Sequence, residues 1–375
     1  MNRKAVIATV ALTAAGVLSG IGRSFAMPPF AQAYAAKCTL CHTSVPGLNA
    51  YGRYVQRTAY AALDHATLKK SLPVWVGVNP SFDSQDPNAP HKLQLGNVAV
   101  HAIGNTGNWT YHVQQWLQQN GQAGGLDTAW VSYNSLFGSN GHLFFGKIQT
   151  PAPSPFGQWF DLAGFAAPGL TVGEHQYQLA NNRWGSRFSY VHGSLDAEIA
   201  WLGAGGDLGG SSNFSNNTDK TLQWKLANAN KDRPLEFGLF GSRGSSPLPE
   251  GGTDQYRSIA GYVQRDPMGA LPGILLIYQN ALDANPGGGN AAAASTAATF
   301  ELFKTFLHQD LLVSVRKEFT NDGLGNQLQS GNVDLEYHLA RFVHVYAETY
   351  MAQNKKPGYR YMIWWTTPLS RSKQL

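Results

Sequence analysis

Charged residues are scarce in this sequence, and so are cysteines and long apolar runs. Only 14% of the 375 residues are Asp, Glu, Lys or Arg, against about 25% in an average globular protein. Two cysteines cannot build a disulfide scaffold. Past residue 26 no run of about 18 apolar residues exists, which excludes a bundle of membrane-spanning helices. Glycine (41 residues) and aromatic side chains (12%) are plentiful, which favours a large β protein over a disordered chain.

The first 26 residues have the pattern of a secretory signal peptide. Two basic residues, Arg3 and Lys4, precede an apolar stretch over 5–22, and Ser24 and Ala26 are small residues where cleavage requires them. An uncleaved membrane anchor is the alternative, but no stop-transfer flank follows. Without this segment the chain has 25 basic and 23 acidic residues, so the formal charge of +5 falls to +2. That balance gives no electrostatic support to a nucleic-acid partner.

Both cysteines lie in one short motif, in which Cys38 and Cys41 are separated by two residues and His42 follows directly. The C-x-x-C-H pattern is the attachment signature of haem c, in which two thioethers hold one porphyrin and the histidine is the proximal iron ligand. A zinc site would need two more ligands at ordered spacing, and a thioredoxin-like redox pair would need a βαβ context. For an exported chain we therefore predict one covalent haem c, attached at Cys38 and Cys41 with His42 on the iron.

The predicted haem module is α-helical and covers residues 27–70. Helical spacing of apolar side chains predicts helices over 30–37 and 51–70, on either side of a turn at 45–47. About 45 residues are too few for a free-standing core. The haem and the rest of the chain are therefore expected to support this module.

The distal haem ligand is left open by the sequence. The nearest histidine, His65, is our candidate, and a solvent-facing histidine at a helix end is its alternative. A histidine from the rest of the chain or one of the methionines is a further possibility. Those methionines are Met27, Met268, Met351 and Met362.

Residues 71–375 form successive segments of about ten residues in which apolar and polar side chains alternate, separated by Gly, Asn, Asp and Pro turns. A soluble sandwich also alternates, but the segment length, the charges opposite the aliphatic face and the Trp and Tyr near segment ends favour an all-β outer-membrane barrel. The sixteen predicted strands are 71–79, 92–103, 108–117, 127–137, 142–150, 183–192, 195–203, 220–228, 235–243, 256–265, 272–282, 298–306, 309–319, 331–340, 342–352 and 359–367. The stretches 151–182, 204–219 and 283–297 are predicted to be surface loops.

A single haem c motif ahead of such a barrel resembles the fused outer-membrane cytochrome–porins, the family that contains the monohaem iron oxidases of iron-oxidising bacteria. The similarity lies in residues 28–31, in the haem motif and in residues 46–53 (PGLNAYGR). It implies a protein of the Gram-negative outer membrane, surrounded by lipid, whose haem lies in the barrel mouth or lumen. It also implies that Cys38 and Cys41 form the thioethers and that His42 is the proximal ligand.

The resemblance further implies an electron conduit with iron:cytochrome c oxidoreductase-type activity. Electrons would pass from extracellular Fe(II), or another redox donor, to a periplasmic carrier such as a c-type cytochrome. The carboxylates of Asp334, Glu336 and Glu348, on the predicted lumenal face, are hard oxygen ligands that could attract Fe(II), with a solvated barrel wall as the alternative. Three other functions stay open: a conduit running outward to an extracellular acceptor, a solute porin with a haem-bearing plug, and a soluble periplasmic cytochrome with a β-sandwich.

Overall fold

Strands of about ten residues with alternating side chains pair in sequence order and close on themselves. The computed structural model describes residues 38–44, 47–63, 74–85, 93–119, 122–151, 182–203, 220–247, 252–284, 292–325, 327–340, 342–353 and 356–368. All sixteen predicted strands are present in these residues, antiparallel to their neighbours, and the last pairs with the first to close the barrel. The predicted all-β barrel is therefore confirmed.

Before the barrel strands, the described chain forms a 3₁₀ turn (Cys38–Leu40), a small hairpin of β1 (His42–Ser44) and β2 (Gly47–Leu48), and helix α1 (Ala50–Arg57). The first half of the barrel contains β3 (Val74–Asp83), β4 (Leu93–Thr106), β5 (Trp109–Gln119), β6 (Gln122–Ala123), β7 (Leu126–Leu136), β8 (Gly141–Ile148), β9 (Arg183–His192), β10 (Leu195–Gly203) and β11 (Lys220–Asn228). The second half contains β12 (Leu235–Pro247), β13 (Thr253–Arg265), β14 (Gly273–Asp283), β15 (Ala293–Phe306), β16 (Leu311–Asn321), β17 (Gln327–Ala340), β18 (Val343–Ala352) and β19 (Gly358–Pro368). Strand β6 is a two-residue extension beside β5, and the other sixteen make the wall.

Strand β10 shows how the alternation sorts side chains between the two faces of the wall. Ile199 and Trp201 are exposed on the outer face, whereas Asp196 and Glu198 point inward and are buried. Large apolar side chains are exposed in the same way around the barrel, which leaves an apolar outer surface of the kind that lipid requires. No helix among the described residues is long and apolar enough to cross a membrane.

The connections differ at the two ends of the barrel. One end, called here the short-turn end, holds the turns between β4 and β5, β7 and β8, β9 and β10, β11 and β12, β13 and β14, β15 and β16, and β17 and β18. The opposite loop end holds the two longest connections, between β8 and β9 and between β10 and β11. Short turns face the periplasm in outer-membrane barrels of known orientation.

Two sequence predictions need correction. The predicted helix over 51–70 is wrong in length, because α1 ends at Arg57 and is followed by Ala59 and Tyr60 in the left-handed backbone region (φ 50° and 62°). The predicted loop 283–297 is too long, since β15 already begins at Ala293. The alanine-rich start of β15 pairs residue by residue with β14, and this pairing overrides the weak β propensity of alanine. The predicted helix over 30–37 lies outside the described residues.

The alternative for the three lumenal carboxylates, that they belong to a solvated barrel wall, does not hold, because all three are buried. Asp334, Glu336 and Glu348 are 6%, 0% and 2% exposed. Ser44 of the chain ahead of the barrel contacts Glu336, whereas wall side chains contact Asp334 and Glu348.

An Ile199→Lys substitution should destabilise the barrel by about 2–4 kcal/mol, because it places a charge on the outer face at the middle of β10. The matched control is Leu195→Lys, on the same outer face of β10 but at its short-turn end, where a cost of about 0–1 kcal/mol is expected. Unfolding in denaturant from lipid vesicles measures both. Equal losses at the two depths would contradict a membrane-embedded outer face.

Candidate functional site

The two cysteines lie on a single turn of backbone. Cys38 opens the 3₁₀ turn, and the backbone N–H of Cys41 donates to the carbonyl oxygen of Cys38 at 3.1 Å. The thiols are not joined to each other; Cys38 is buried and Cys41 is partly buried. His42 follows at once and is buried as the first residue of β1. Two thiols leaving one turn beside a histidine are the donor set that covalent attachment of one haem needs, so these residues fit the group.

The Cys41 thiol lacks the electrostatics of a catalytic cysteine. Burial raises the pKa of the Cys41 thiol to about 11, whereas redox-active and nucleophilic cysteines have a lowered pKa. At neutral pH this thiol is protonated and is therefore a poor nucleophile. The thioredoxin-like alternative is therefore disfavoured.

Helix α1 is fastened directly to the cysteine turn. The backbone N–H of Asn49 donates to the carbonyl oxygen of Cys41 (2.9 Å), and its side-chain amide donates to the carbonyl oxygens of Thr39 and Leu40 (3.1 and 3.2 Å). The Asn49 side chain also caps α1 by accepting from the N–H of Gly52 at 2.9 Å. A Cβ on Gly52 would lie 1.9 Å from the carbonyl oxygen of Cys41, so only glycine permits this approach. Asn49 and Gly52 belong to the PGLNAYGR segment on which the family resemblance partly rests.

Two arginines one helical turn apart bind the barrel wall. Arg53 pairs with Glu236 (Nε–Oε2 3.0 Å) and with Asp266 (Nη1–Oδ1 2.9 Å). Arg57 pairs with Glu236 (Nη1–Oε2 3.1 Å) and with Asp196 (Nε–Oδ2 3.3 Å). Residues i and i+4 lie on one helix face, which is why both arginines reach the same side of the wall.

These pairs belong to a larger buried network of alternating charge. Lys225 donates to Asp196 and Glu198 (2.7 and 3.2 Å), and Arg187 lies 3.4 Å from Glu198. Burial by itself would lower the pKa of Arg57, but the charges of Asp196, Glu236 and Glu198 raise it above its ordinary value. Four cations therefore face four carboxylates, and the charges compensate one another inside the lumen.

The opposite face of the same segment is apolar and aromatic. Tyr60 stacks on Trp130 with ring centroids 6.2 Å apart and planes 7° from parallel. Trp75 of β3 belongs to the same buried cluster, and β3 lies across the ring of strands from β12, which carries Glu236. The described residues 38–44 and 47–63, called here the plug, therefore cross the lumen from one wall to the other. Their wall contacts Asp196, Glu236 and Asp266 lie near the short-turn end.

The hairpin of the plug contacts a third part of the wall. The Ser44 hydroxyl donates to Glu336 Oε2 at 2.5 Å and lies 3.2 Å from His338 Nε2. His338 is directly paired with His344 across β17 and β18. Glu336, His338 and His344, called here the His–Glu cluster, have ligand atoms that all lie within 4.8 Å of one another.

Further along the same two strands, towards the loop end, lie Asp334 and Glu348, which are paired across β17 and β18. The side-chain amide of Asn332 donates to both carboxylates (3.0 and 3.3 Å). Arg360 links Glu348 (3.2 Å) to Asp83 (2.7 Å) at the end of β3. A line of polar and acidic side chains thus runs from the loop end to the His–Glu cluster.

The structure therefore brings Cys38, Cys41 and His42 together and puts them in the lumen. His65 and Met27 lie outside the described residues. Met268 and Met351 are about half exposed. Met268 lies in the turn between β13 and β14, and Met351 lies on the outer face of β18, away from the lumen. Met362 is buried on β19, where its sulfur accepts from the side-chain amide of Asn79 at 3.5 Å.

Of the His–Glu cluster only Glu336 is a candidate from the sequence. The two anchoring arginines and the two histidines were not predicted. Arg53 and Arg57 stand four residues apart, a spacing that could have indicated a binding face. His338 and His344 both fall on the polar face of their strands, and the short connection after Ala340 places them opposite each other. That pairing could have been worked out from the sequence.

No protein-family model and no curated protein matches the sequence. Solved outer-membrane proteins are similar in structure. OmpT of Vibrio cholerae in its trimer form has a TM-score of 0.58 and 10% identity, over 78% of this chain and 98% of that chain. The anion-selective porin from Comamonas acidovorans has a TM-score of 0.55 and 11% identity, over 78% and 98%. At this identity the similarity shows the fold alone, which is that of an outer-membrane porin barrel.

Proposed function

We propose that this protein is an outer-membrane electron conduit of the fused cytochrome–porin type, with one covalent haem c carried by the plug. The observation that supports it most is the position of the cysteine turn, which is hydrogen-bonded to a helix that buried ion pairs hold inside the barrel. Cys38 and Cys41 would form the thioethers, and His42 would be the proximal ligand. When bound, the haem would supply a one-electron redox centre between an extracellular donor such as Fe(II) and a periplasmic carrier such as a c-type cytochrome.

The residues of the chain have separate tasks in this function. The wall keeps lipid away from the plug across an apolar band about 25 Å tall. Arg53 and Arg57 hold the plug at the short-turn end, which would face the periplasm and so would bring the haem within reach of a carrier there. Towards the loop end, the carboxylate oxygens of Asp334 and Glu348 are hard ligands that would favour a cationic donor such as Fe(II).

A solute porin with a haem-bearing plug is the second candidate, and the similarity to an anion-selective porin favours it. One observation counts against it. The plug contacts the wall on both sides of the lumen. A conduit running outward would use the same residues, and only the redox potentials would distinguish the direction.

Anaerobic stopped-flow absorbance of the full chain in detergent tests the proposal. Mixing with Fe(II) should rapidly produce the reduced α-band of a c-type haem, because the proposed conduit takes its electron from this donor. Dithionite supplies the control for complete reduction. A haem that dithionite reduces but Fe(II) leaves oxidised, from acid to neutral pH, would refute Fe(II) oxidation. Open-channel conductance in planar bilayers that is unaffected by loss of haem would favour the solute porin instead.

A further inference from the structure

The His–Glu cluster lies where the plug hairpin meets β17 and β18, near the short-turn end. In the pairing of β17 with β18, His338 lies opposite His344, and Glu336 is two residues earlier on the same face of β17. The three residues are 5%, 2% and 0% exposed. Buried titratable groups of this kind are uncommon unless they are paired or bind a metal.

The separations between the polar atoms suit coordination of one ion. His338 Nε2 and His344 Nδ1 lie 3.2 and 2.9 Å from the same oxygen, Glu336 Oε1. Neighbouring ligands at right angles around a metal, with bonds of about 2.1 Å, are about 3 Å apart. The two imidazole rings are 4.3 Å apart and nearly perpendicular (76°), so they approach the carboxylate from different directions.

The donor chemistry narrows the choice of ion. Two imidazoles and one carboxylate form the ligand set of mononuclear non-haem Fe(II) sites with open positions, and zinc also accepts such a set. The Ser44 hydroxyl, 2.5 Å from Glu336 Oε2, places a further polar group of the plug on this cluster. Calcium and magnesium prefer all-oxygen sites, so they are poor matches.

We infer that Glu336, His338 and His344 bind one divalent transition-metal ion between the barrel wall and the plug. Its identity as Fe(II) rests on the proposed function, in which this would be the donor site. Ser44 is two residues after His42 in β1, and two strand residues span only about 7 Å. The site therefore lies close to the proposed haem ligand, at the inner end of the line formed by Asp334 and Glu348.

Without an ion, the cluster is a hydrogen-bonded network in which Glu336 accepts from Ser44 and both imidazoles. A metal site and a purely hydrogen-bonded network differ in a measurable way. A metal replaces the protons that the histidines donate, so the site should bind one equivalent of ion. A network that only holds the plug should bind none.

Titration of the full chain in detergent with Co(II), a spectroscopic probe for such sites, tests the inference. The wild-type protein should bind one equivalent of Co(II) and show its d–d absorption. Added zinc should displace the Co(II) and abolish this absorption. Glu336→Gln and His344→Ala should lose this absorption, and Ser44→Ala, which leaves the three ligands intact, should weaken binding by about tenfold. His308→Ala removes an exposed histidine and should have no effect. Heat-modifiable migration in electrophoresis checks that each variant has a folded barrel.

Wild-type protein that binds no Co(II), or Glu336→Gln protein that binds it as tightly as wild type, would overturn the site. The first of these results needs no variant, so misfolding of a variant leaves the test intact. The Fe(II) reaction separates the two proposals. If Co(II) binds but Fe(II) does not reduce the haem, the site stands and Fe(II) oxidation fails. If Fe(II) reduces the haem at the same rate in Glu336→Gln as in wild type, the assignment of this cluster as the donor site fails.

Discussion

A Cys38→Ala, Cys41→Ala variant should contain no haem, while its barrel still closes. These are the only cysteines in the chain, so no other thiol can form a thioether. The sixteen wall strands contain neither residue, and their pairing does not depend on the motif. Haem staining after denaturing electrophoresis and the absorbance of the pyridine haemochrome should both fall from one haem per chain to none.

Thr39→Ala is the matched control, because it changes the same turn without removing a sulfur, and it should retain haem. Wild-type protein from a host that attaches haem c would contradict the assignment if it had no covalent haem. One equivalent of zinc at the cysteines would contradict it as well and would revive the alternative that the sequence left open.

Removing the two arginine anchors should release the plug. In an Arg53→Ala, Arg57→Ala variant the carboxylates of Asp196, Glu236 and Asp266 lose these cationic partners while buried, and breaking a buried pair from one side costs about 3–5 kcal/mol. Breaking even one of these buried ion pairs would raise the fraction of molecules with a displaced plug by about a hundredfold or more. Planar-bilayer recordings should show larger and more frequent openings than wild type.

The control is Arg233→Ala, which removes an exposed guanidinium in the turn between β11 and β12, at the same end of the barrel. It should leave conductance unchanged. Limited proteolysis provides a second measurement, since a displaced plug should be cut within 47–63 while the barrel resists. Wild-type conductance and protection in the double variant would mean that the remaining contacts, of Tyr60 with Trp130 and of Ser44 with Glu336, are enough to hold the plug.

The barrel was predictable because lipid and lumen impose a period of two on every wall strand. Leu195, Asp196 and the following residues of β10 fall on the faces that alternation assigns to them. The prediction failed where distant contacts decide the backbone. The helical pattern continues past Arg57, but Tyr60 leaves it in the left-handed region and packs on Trp130, seventy residues away in sequence.

The candidate site likewise contains residues that a local sequence motif predicts and residues that only the folded barrel brings together. Cys38, Cys41 and His42 are adjacent in sequence, so their motif is visible without a structure. Arg53 meets Glu236 and Asp266 at separations of 183 and 213 residues, and only the closure of the barrel brings them together. No local pattern marks either carboxylate as the partner of an arginine.

The charge pairs that hold the plug in the barrel are enclosed by protein, which affects how the plug responds to the salt concentration outside the cell. Dissolved ions screen exposed charge pairs strongly, with a Debye length of about 8 Å at physiological ionic strength, but they screen buried pairs far less. Arg53 and Arg57 and their carboxylate partners Glu236 and Asp196 are nearly inaccessible to solvent. The plug should therefore stay bound in the lumen at low and at high salt concentration, in fresh and in saline surroundings alike.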